Sequence, residues 1–301
     1  MMYKWLKSQD QIVFEIKDRV ARITLNRPEK RNALSPLMQQ EISQALLEAD
    51  DRTDVNCVVL KGEGKDFCAG YDLAAAYDAR QRAQPEGVDS SLYREAGSAA
   101  GIDNDCWGME RNQELLIRLF DMHKPVIAQV HGNCLAGGTD VALSCDMVIA
   151  SHEARIGFPA TRANGSPPIN WWMYHVGPQR AKRMLLTGDS VSGKDAARIG
   201  LVMDAVPAAE LEGVVNEAAR RMTCVDSDLL ASQKRIVNLG IELMHGRTMQ
   251  RLALEMDARA HLSQGPQRAA FKKNMEAVGL KESLKQRDRL FGDGMLKFGE
   301  W

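Results

Sequence analysis

Three short apolar runs constrain the fold of this chain most: Cys57-Val58-Val59-Leu60, Pro125-Val126-Ile127-Ala128-Gln129-Val130 and Met147-Val148-Ile149-Ala150. A strand with one wet face alternates apolar and polar residues. A near-continuous apolar run instead suits a strand covered on both faces, as in a mainly parallel sheet. Helical stretches separate the runs, so the pattern is strand–helix alternation and the fold class is α/β.

The flanking segments fit that frame. Ile12, Phe14 and Ile16, then Ala21, Ile23 and Leu25, alternate with other residues around Lys17-Asp18 and predict a hairpin over 12–25. Ser35-Pro36 offers a capping hydroxyl followed by proline at the first helical position, which predicts a helix running to about Asp50. Residues 208–290 carry apolar side chains at helical spacing throughout, so residues 1–206 are read as the α/β core and 207–301 as a helical C-terminal region. Residues 84–106 hold Gly, Ser, Ala, Pro and Asp but few large apolar groups, the composition of a long connection that serves as a lid, a binding loop or a disordered stretch; the lid-like loop is the expectation carried forward.

Composition excludes several classes of function. The 301 residues are 45% hydrophobic and 26% charged, and the formal net charge is −1, so no basic footprint for nucleic acid exists. None of the six cysteines forms a C-x-x-C pair, and the expectation is reduced thiols in a reducing compartment. The N-terminus lacks a signal-peptide apolar region, no run approaches a membrane span, and a cytoplasmic protein is expected. The histidines show no metal-ligand spacing, so no metal is expected. Phosphate-loop and dinucleotide-binding spacings are absent.

Two glycine turns could carry chemistry. Lys65-Asp66-Phe67-Cys68-Ala69-Gly70-Tyr71-Asp72-Leu73 and His131-Gly132-Asn133-Cys134-Leu135-Ala136-Gly137-Gly138-Thr139-Asp140 each follow a strand directly. Glycine lets a ligand approach the backbone closely. Taken alone, each turn reads first as a plain strand-to-helix connection. Together they can supply one N–H each to a single oxygen, an arrangement that stabilises an enolate or a tetrahedral oxyanion. Asp140 then sits where a carboxylate can act as acid or base.

The series Asn26-Arg27-Pro28, Asn32-Ala33-Leu34, Phe67 through Leu73, Pro125 through Ala128, Gly132 with Gly137-Gly138, Cys145-Asp146, Leu186-Thr187-Gly188 and Ala196 through Val202 resembles the crotonase (enoyl-CoA hydratase/isomerase) superfamily. The resemblance runs in order over residues 12–206. It implies a ββα spiral core, with a helical C-terminal region that builds homotrimers, often paired into homohexamers. It implies an acyl-CoA thioester substrate, coenzyme A entering as part of that substrate rather than as a separate cofactor. Carried over residue by residue, it assigns the thioester oxygen to the backbone N–H groups of Tyr71 and Gly137, and proton transfer or water orientation to Asp140. It places the CoA-binding surface around Arg31, Ala33, Ala69 and Leu73, with Gly138 beside the substrate. Phe271 or Lys272 would add a C-terminal contact.

The chain also departs from the family. A hydratase of this type carries a second acid just after Phe158-Pro159, where this chain has Ala160. Asp140 is one methylene shorter than the family glutamate, and a displacement of about 1 Å at a reacting group costs about 100-fold in rate. The substrate must therefore sit differently, or another group must share the work; the candidates are the Tyr71 hydroxyl, Arg162, Asn164, Tyr174 and His175. Arg162 can bind a substrate carboxylate or keto group, or form a structural ion pair. Trp171 and Trp172 can wall a large apolar substrate, or pack a helix. Three functions are open: an enoyl-CoA hydratase or isomerase; a C–C hydrolase or decarboxylase on a bulky keto-acyl thioester; and a non-catalytic acyl-CoA binder.

Overall fold

The computed structural model describes residues 3–74, 88–94 and 101–298. β1 (Ile12–Lys17) and β2 (Val20–Leu25) form the expected antiparallel hairpin. Asp18 and Arg19 both take positive φ at its tip, 51° and 61°, the two-residue turn that matches strand twist. β3 (Cys57–Gly62), β4 (Val126–Val130), β6 (Met147–Ser151) and β9 (Asp204–Val206) then add in parallel, in the order β1-β2-β3-β4-β6-β9.

The continuous apolar runs are explained by what covers the two faces of this sheet. Val58, Leu60, Val126, Ala128, Val148 and Ala150 point into the main core, with Met38, Ile42, Ala45 and Leu46 of α1 (Pro36–Asp51). Their neighbours Cys57, Val59, Ile127 and Ile149 point the other way, onto Leu211, Val215, Ala219 and Met222 of α6 (Ala208–Thr223). Side chains alternate faces along a strand, so both parities are apolar because both faces are buried. Each buried Val, Leu, Ile or Met among them contributes about 1.5–3 kcal/mol. The Ser35 hydroxyl caps α1 by accepting from Met38 N–H at 3.1 Å, as the Ser-Pro pair predicts.

A second, three-stranded sheet holds β5 (Asn133–Leu135), β7 (Arg155–Gly157) and β8 (Ser190–Ser192). The chain passes repeatedly between the two sheets: β4 to β5, through α3 (Gly137–Leu143) to β6, then β7. This is the spiral, and it stacks the ends of β3 and β4 beside one another. After β7 come α4 (Trp172–Thr187), β8, α5 (Gly193–Ile199) and β9. Beyond α6 lie α7 (Ser227–Leu243), α8 (Gly246–His261), α9 (Pro266–Val278) and α10 (Leu280–Arg289). The helical region over 208–290 is as expected. Lys234 of α7 is buried and donates to Asp146 Oδ2 at 2.8 Å and to Leu119 O at 2.9 Å, pinning α7 to the core.

The segment 84–106 departs from the loop expectation at its end. α2 spans Ile102–Asp121, so residues 102–106 are helical, and Ser90–Leu92 make one 3-10 turn. Residues 84–87 and 95–100, the rest of the expected lid, lie outside the described residues. Among the described residues, no helix is long and apolar enough to cross a membrane.

Candidate active site

The turn after β3 is stitched to the second sheet. Phe67 N–H donates to His131 O at 2.8 Å, Cys68 N–H to Asn133 O at 2.9 Å, and Leu135 N–H to Cys68 O at 3.0 Å. On its other side, Ala69 N–H donates to Arg31 O at 2.9 Å, Leu34 N–H to Gly70 O at 2.8 Å, and Asp72 N–H to Leu34 O at 3.0 Å. Asn32 braces this layer from a left-handed conformation, φ 54°. Its Nδ2 donates to Glu63 O and Asp66 O at 2.9 and 2.7 Å. Asp66 Oδ1 in turn accepts from Asn133 N–H and Nδ2 at 2.9 and 2.6 Å. Arg27 closes the brace with a 3.0 Å ion pair to Asp72, both side chains largely buried.

The turn after β5 meets it. Ala136 sits at φ 48° and ψ −120°, a strained conformation for a residue with a side chain. Its N–H donates to Gly157 O at 2.9 Å. The next residue opens α3, all of whose residues are buried. A Cβ on Gly137 would lie 2.8–3.0 Å from ring atoms of Tyr71, so the ring lies directly over this glycine. A Cβ on Gly70 would lie 3.5 Å from the Gly137 nitrogen, which shows how closely the two turns approach. Among the described residues, neither Tyr71 N–H nor Gly137 N–H donates to a backbone acceptor. Two unused donors at buried or half-buried backbone are the raw material of an anion-stabilising pair.

Asp140, one turn into α3, is 1% exposed. Its Oδ2 accepts from the Tyr71 hydroxyl at 2.9 Å, and its Oδ1 is buried with no partner among the described residues. Burial pushes its pKa well above the ordinary carboxylate value, the Tyr71 hydrogen bond opposes this, and the nearby Asp257 carboxylate adds to it. The neutral acid, a proton donor, is therefore favoured. Burial, then the same Asp140 carboxylate, pushes the Tyr71 hydroxyl pKa up, so Tyr71 stays a donor.

Tyr71, Gly137, Gly138 and Asp140 thus come together, and the Tyr71 side chain joins them. Arg31, Ala33, Ala69 and Leu73 form one neighbourhood through the Ala69–Arg31 hydrogen bond; Arg31 is exposed and the other three are half-buried. Two expectations need correction. The Arg162 side chain is 2% exposed and its guanidinium is fully engaged in the protein. It donates to Thr187 O at 2.9 Å, pairs with Asp189 and Asp288 at 2.9 and 3.1 Å, and stacks 3.9 Å from the Phe291 ring centroid. Arg162 is a structural ion pair rather than a substrate ligand. Replacing it with Leu is expected to cost about 1–3 kcal/mol of stability, because Thr187 O loses its donor, while Asp189 keeps Arg183 and Asp288 keeps Arg287; a melting curve measures this, with KM unchanged in the folded fraction.

Trp171 is likewise core rather than an open substrate wall. It is 2% exposed, stacks 4.8 Å from Phe120, and donates from Nε1 to Ser144 Oγ at 3.0 Å. Trp172 is fully buried. The Tyr174 hydroxyl donates to Met244 O at 3.0 Å, and Phe271 is 4% exposed, so both are anchors. Ala160, in a 3-10 turn over Pro159–Arg162, brings no acid. Two groups escaped the sequence reading: Asp257 and Asp105, which flank His261 at 3.7 and 2.7 Å. The available signal was an i, i+4 Asp–His pair on the apolar stripe of α8. Among the described residues, no group of three or more His, Cys, Asp or Glu is placed to hold a metal ion.

Comparison with known proteins shows the family of the chain. The enoyl-CoA hydratase/isomerase family model matches residues 15–278. A probable enoyl-CoA hydratase of Rhodobacter capsulatus is 30% identical over 273 residues, covering 90% of this chain and 95% of that protein. A hydroxycinnamoyl-CoA hydratase-lyase of Pseudomonas fluorescens is 34% identical over 212 residues, 69% of this chain and 71% of that one. The crystal structure of an enoyl-CoA hydratase from Mycobacterium smegmatis superposes with a TM-score of 0.83 at 32% identity, covering 95% of this chain and 96% of that one. With the spiral, the paired glycine turns and these matches in hand, the chain belongs to the enoyl-CoA hydratase/isomerase family of the crotonase superfamily.

Proposed function

We propose that this protein hydrates the double bond of an enoyl-CoA thioester, or shifts it, through an enolate held by Tyr71 N–H and Gly137 N–H. The observation that carries this reading is a pair of backbone donors, unused among the described residues, at two touching turns, with a buried acid, Asp140, one helical turn away. Donors fixed in place before reaction stabilise charge as it develops on the thioester oxygen, without reorganisation. Asp140, favoured in its neutral form and held by Tyr71, delivers a proton to the carbon of the enolate. The acyl-CoA enters along the neighbourhood of Arg31, Ala33, Ala69 and Leu73.

Assay of the purified protein with crotonyl-CoA and with a bulkier aryl-enoyl-CoA tests the reading. Turnover of either supports it, and none with both, at protein concentrations near that of the substrate, contradicts it. Tyr71→Phe keeps the ring over Gly137 and removes only the hydroxyl. It is expected to lower kcat roughly tenfold, the effect of one hydrogen bond, with KM nearly constant. A second reading, C–C cleavage of a hydroxyacyl thioester, draws on the relative named a hydratase-lyase. A new aldehyde product from a 3-hydroxyacyl-CoA supports it; a simple enoyl–hydroxyacyl equilibrium does not.

A further inference from the structure

The two turns that carry Tyr71 and Gly137 are joined by a short stretch of parallel backbone, and its pairing is irregular. In a regular parallel ladder, alternate residues of one strand bond the same neighbour. Here two adjacent residues do so: Phe67 N–H donates to His131 O at 2.8 Å and Cys68 N–H to Asn133 O at 2.9 Å. The second strand carries an extra residue at this step, Gly132, in the manner of a bulge. Gly132 takes φ 54°, and a Cβ there would lie 1.9 Å from Lys65 O, so the step requires glycine. Beyond it the pairing is regular: Cys68 bridges Cys134, and Leu135 N–H donates to Cys68 O at 3.0 Å.

Such a step leaves backbone groups without ladder partners. The carbonyl of Asp66, which would face Asn133 N–H in an unbroken ladder, is taken by Asn32 Nδ2 at 2.7 Å. The Asp66 carboxyl replaces it. Oδ1 accepts from Asn133 N–H at 2.9 Å and from Asn133 Nδ2 at 2.6 Å. A Cβ on Gly132 would lie 2.9 Å from the same Oδ1, so the carboxyl packs directly over the extra residue. Asp66 is 7% exposed. Tyr71 follows Asp66 by five residues, and Gly137 follows Asn133 by four.

We infer that Asp66 is a positioning residue for the oxyanion pair: its carboxyl clamps Asn133 at the Gly132 step and so sets where Gly137 N–H stands relative to Tyr71 N–H. The inference rests on the proposed reading that these two donors hold a thioester oxygen. The connections leave little slack between clamp and donors. On one side, Ala69 N–H is fixed to Arg31 O and Gly70 O to Leu34 N–H; on the other, Ala136 N–H is fixed to Gly157 O. These bonds anchor each turn to a different part of the fold, whereas the Asp66 carboxyl ties one turn to the other. Without it, Asn133 N–H and Nδ2 lose their acceptor and the step is free to shift. A shift of about 1 Å at a reacting group costs about 100-fold in rate.

The test compares wild type, D66A, D66N and N133A. Each is measured for kcat and KM with an enoyl-CoA, and for the carbonyl stretch of a bound saturated acyl-CoA. D66A removes the acceptor. It is expected to lower kcat roughly 100-fold with KM within about threefold, and to lose most of the low-frequency shift of the bound carbonyl. D66N keeps an oxygen for both donors of Asn133, and is expected to return kcat to within about threefold of wild type and to restore the shift. N133A keeps the backbone bond and loses the 2.6 Å bond from Nδ2, which is expected to lower kcat roughly tenfold.

A residue needed only for the fold would move the melting temperature and leave kcat, KM and carbonyl frequency of the folded fraction as in wild type. That result in D66A overturns the inference, and so does D66N as impaired as D66A. Where D66A does not fold, N133A decides: wild-type kcat and carbonyl frequency in N133A overturn the inference. Each of these outcomes leaves the oxyanion-hole reading standing, because wild type still turns over and still shifts the carbonyl. A wild type that does neither removes that reading and the inference together.

Discussion

Asp140→Asn is expected to lower kcat by roughly 10²–10⁴-fold, the range for loss of a positioned proton donor. Affinity for a saturated acyl-CoA is expected to stay unchanged, because the backbone donors that hold the thioester are untouched. The introduced amide would still accept from the Tyr71 hydroxyl through its Oδ1, so the ring over Gly137 keeps its place. The same substitution is expected to stabilise the fold. Asp140 has its folded pKa raised above the 3.8 of the unfolded chain. Its share of stability is complete below that value and is lost as pH rises toward the folded pKa. Asparagine does not titrate, so the melting temperature of D140N should exceed that of wild type at about pH 8 and the gap should close below about pH 4. A variant both less active and less stable at alkaline pH would contradict the buried neutral acid.

Gly137→Ala is the second large effect. The new methyl would meet Tyr71 Cε2 at 2.8 Å and Cδ2 at 2.9 Å, closer than carbon atoms pack. The ring must swing away, and with it go the Tyr71 hydroxyl from Asp140 and the backbone donor beside it. Loss of one oxyanion-hole donor costs about 10²–10³ in kcat, about 3–4 kcal/mol, and this substitution disturbs both donors and the acid. The expected outcome is a loss of at least about 10²-fold, in a protein whose circular dichroism is unchanged. Full activity in G137A would mean that the Tyr71 ring position has no bearing on the chemistry.

How much the sequence disclosed depended on the range of the contacts involved. The runs Cys57–Leu60 and Met147–Ala150 disclosed a doubly covered sheet, because burial of both faces erases the period of two. The glycine turns were legible for the same local reason: each joins a strand to the next element of the chain. The start of α2 was not legible. Its buried apolar residues, Leu116, Ile117, Leu119 and Phe120, all lie in its second half, so residues 102–106 carried no helical stripe. Roles set by distant partners were hidden as well. Arg162 owes its structural place to Asp189 and to Asp288, the latter 126 residues away. Asp105 meets His261 across 156 residues. Trp171 became core because Phe120 of α2 stacks on it, which no local pattern around residue 171 announces. Asp140 was legible as an acid, but its pairing with the Tyr71 hydroxyl required the ring to cross Gly137, a detail of packing rather than of sequence.

The central claim is that two backbone N–H groups polarise a thioester carbonyl, and isotope-edited infrared difference spectroscopy reads this directly. A saturated acyl-CoA labelled with ¹³C at the thioester carbonyl is bound to the wild-type protein and to G137A. The account predicts that the carbonyl stretch moves to lower frequency on binding to wild type, and that most of this shift is lost in G137A. A bound ligand whose carbonyl frequency equals that in water, or a shift equally large in G137A, would contradict it.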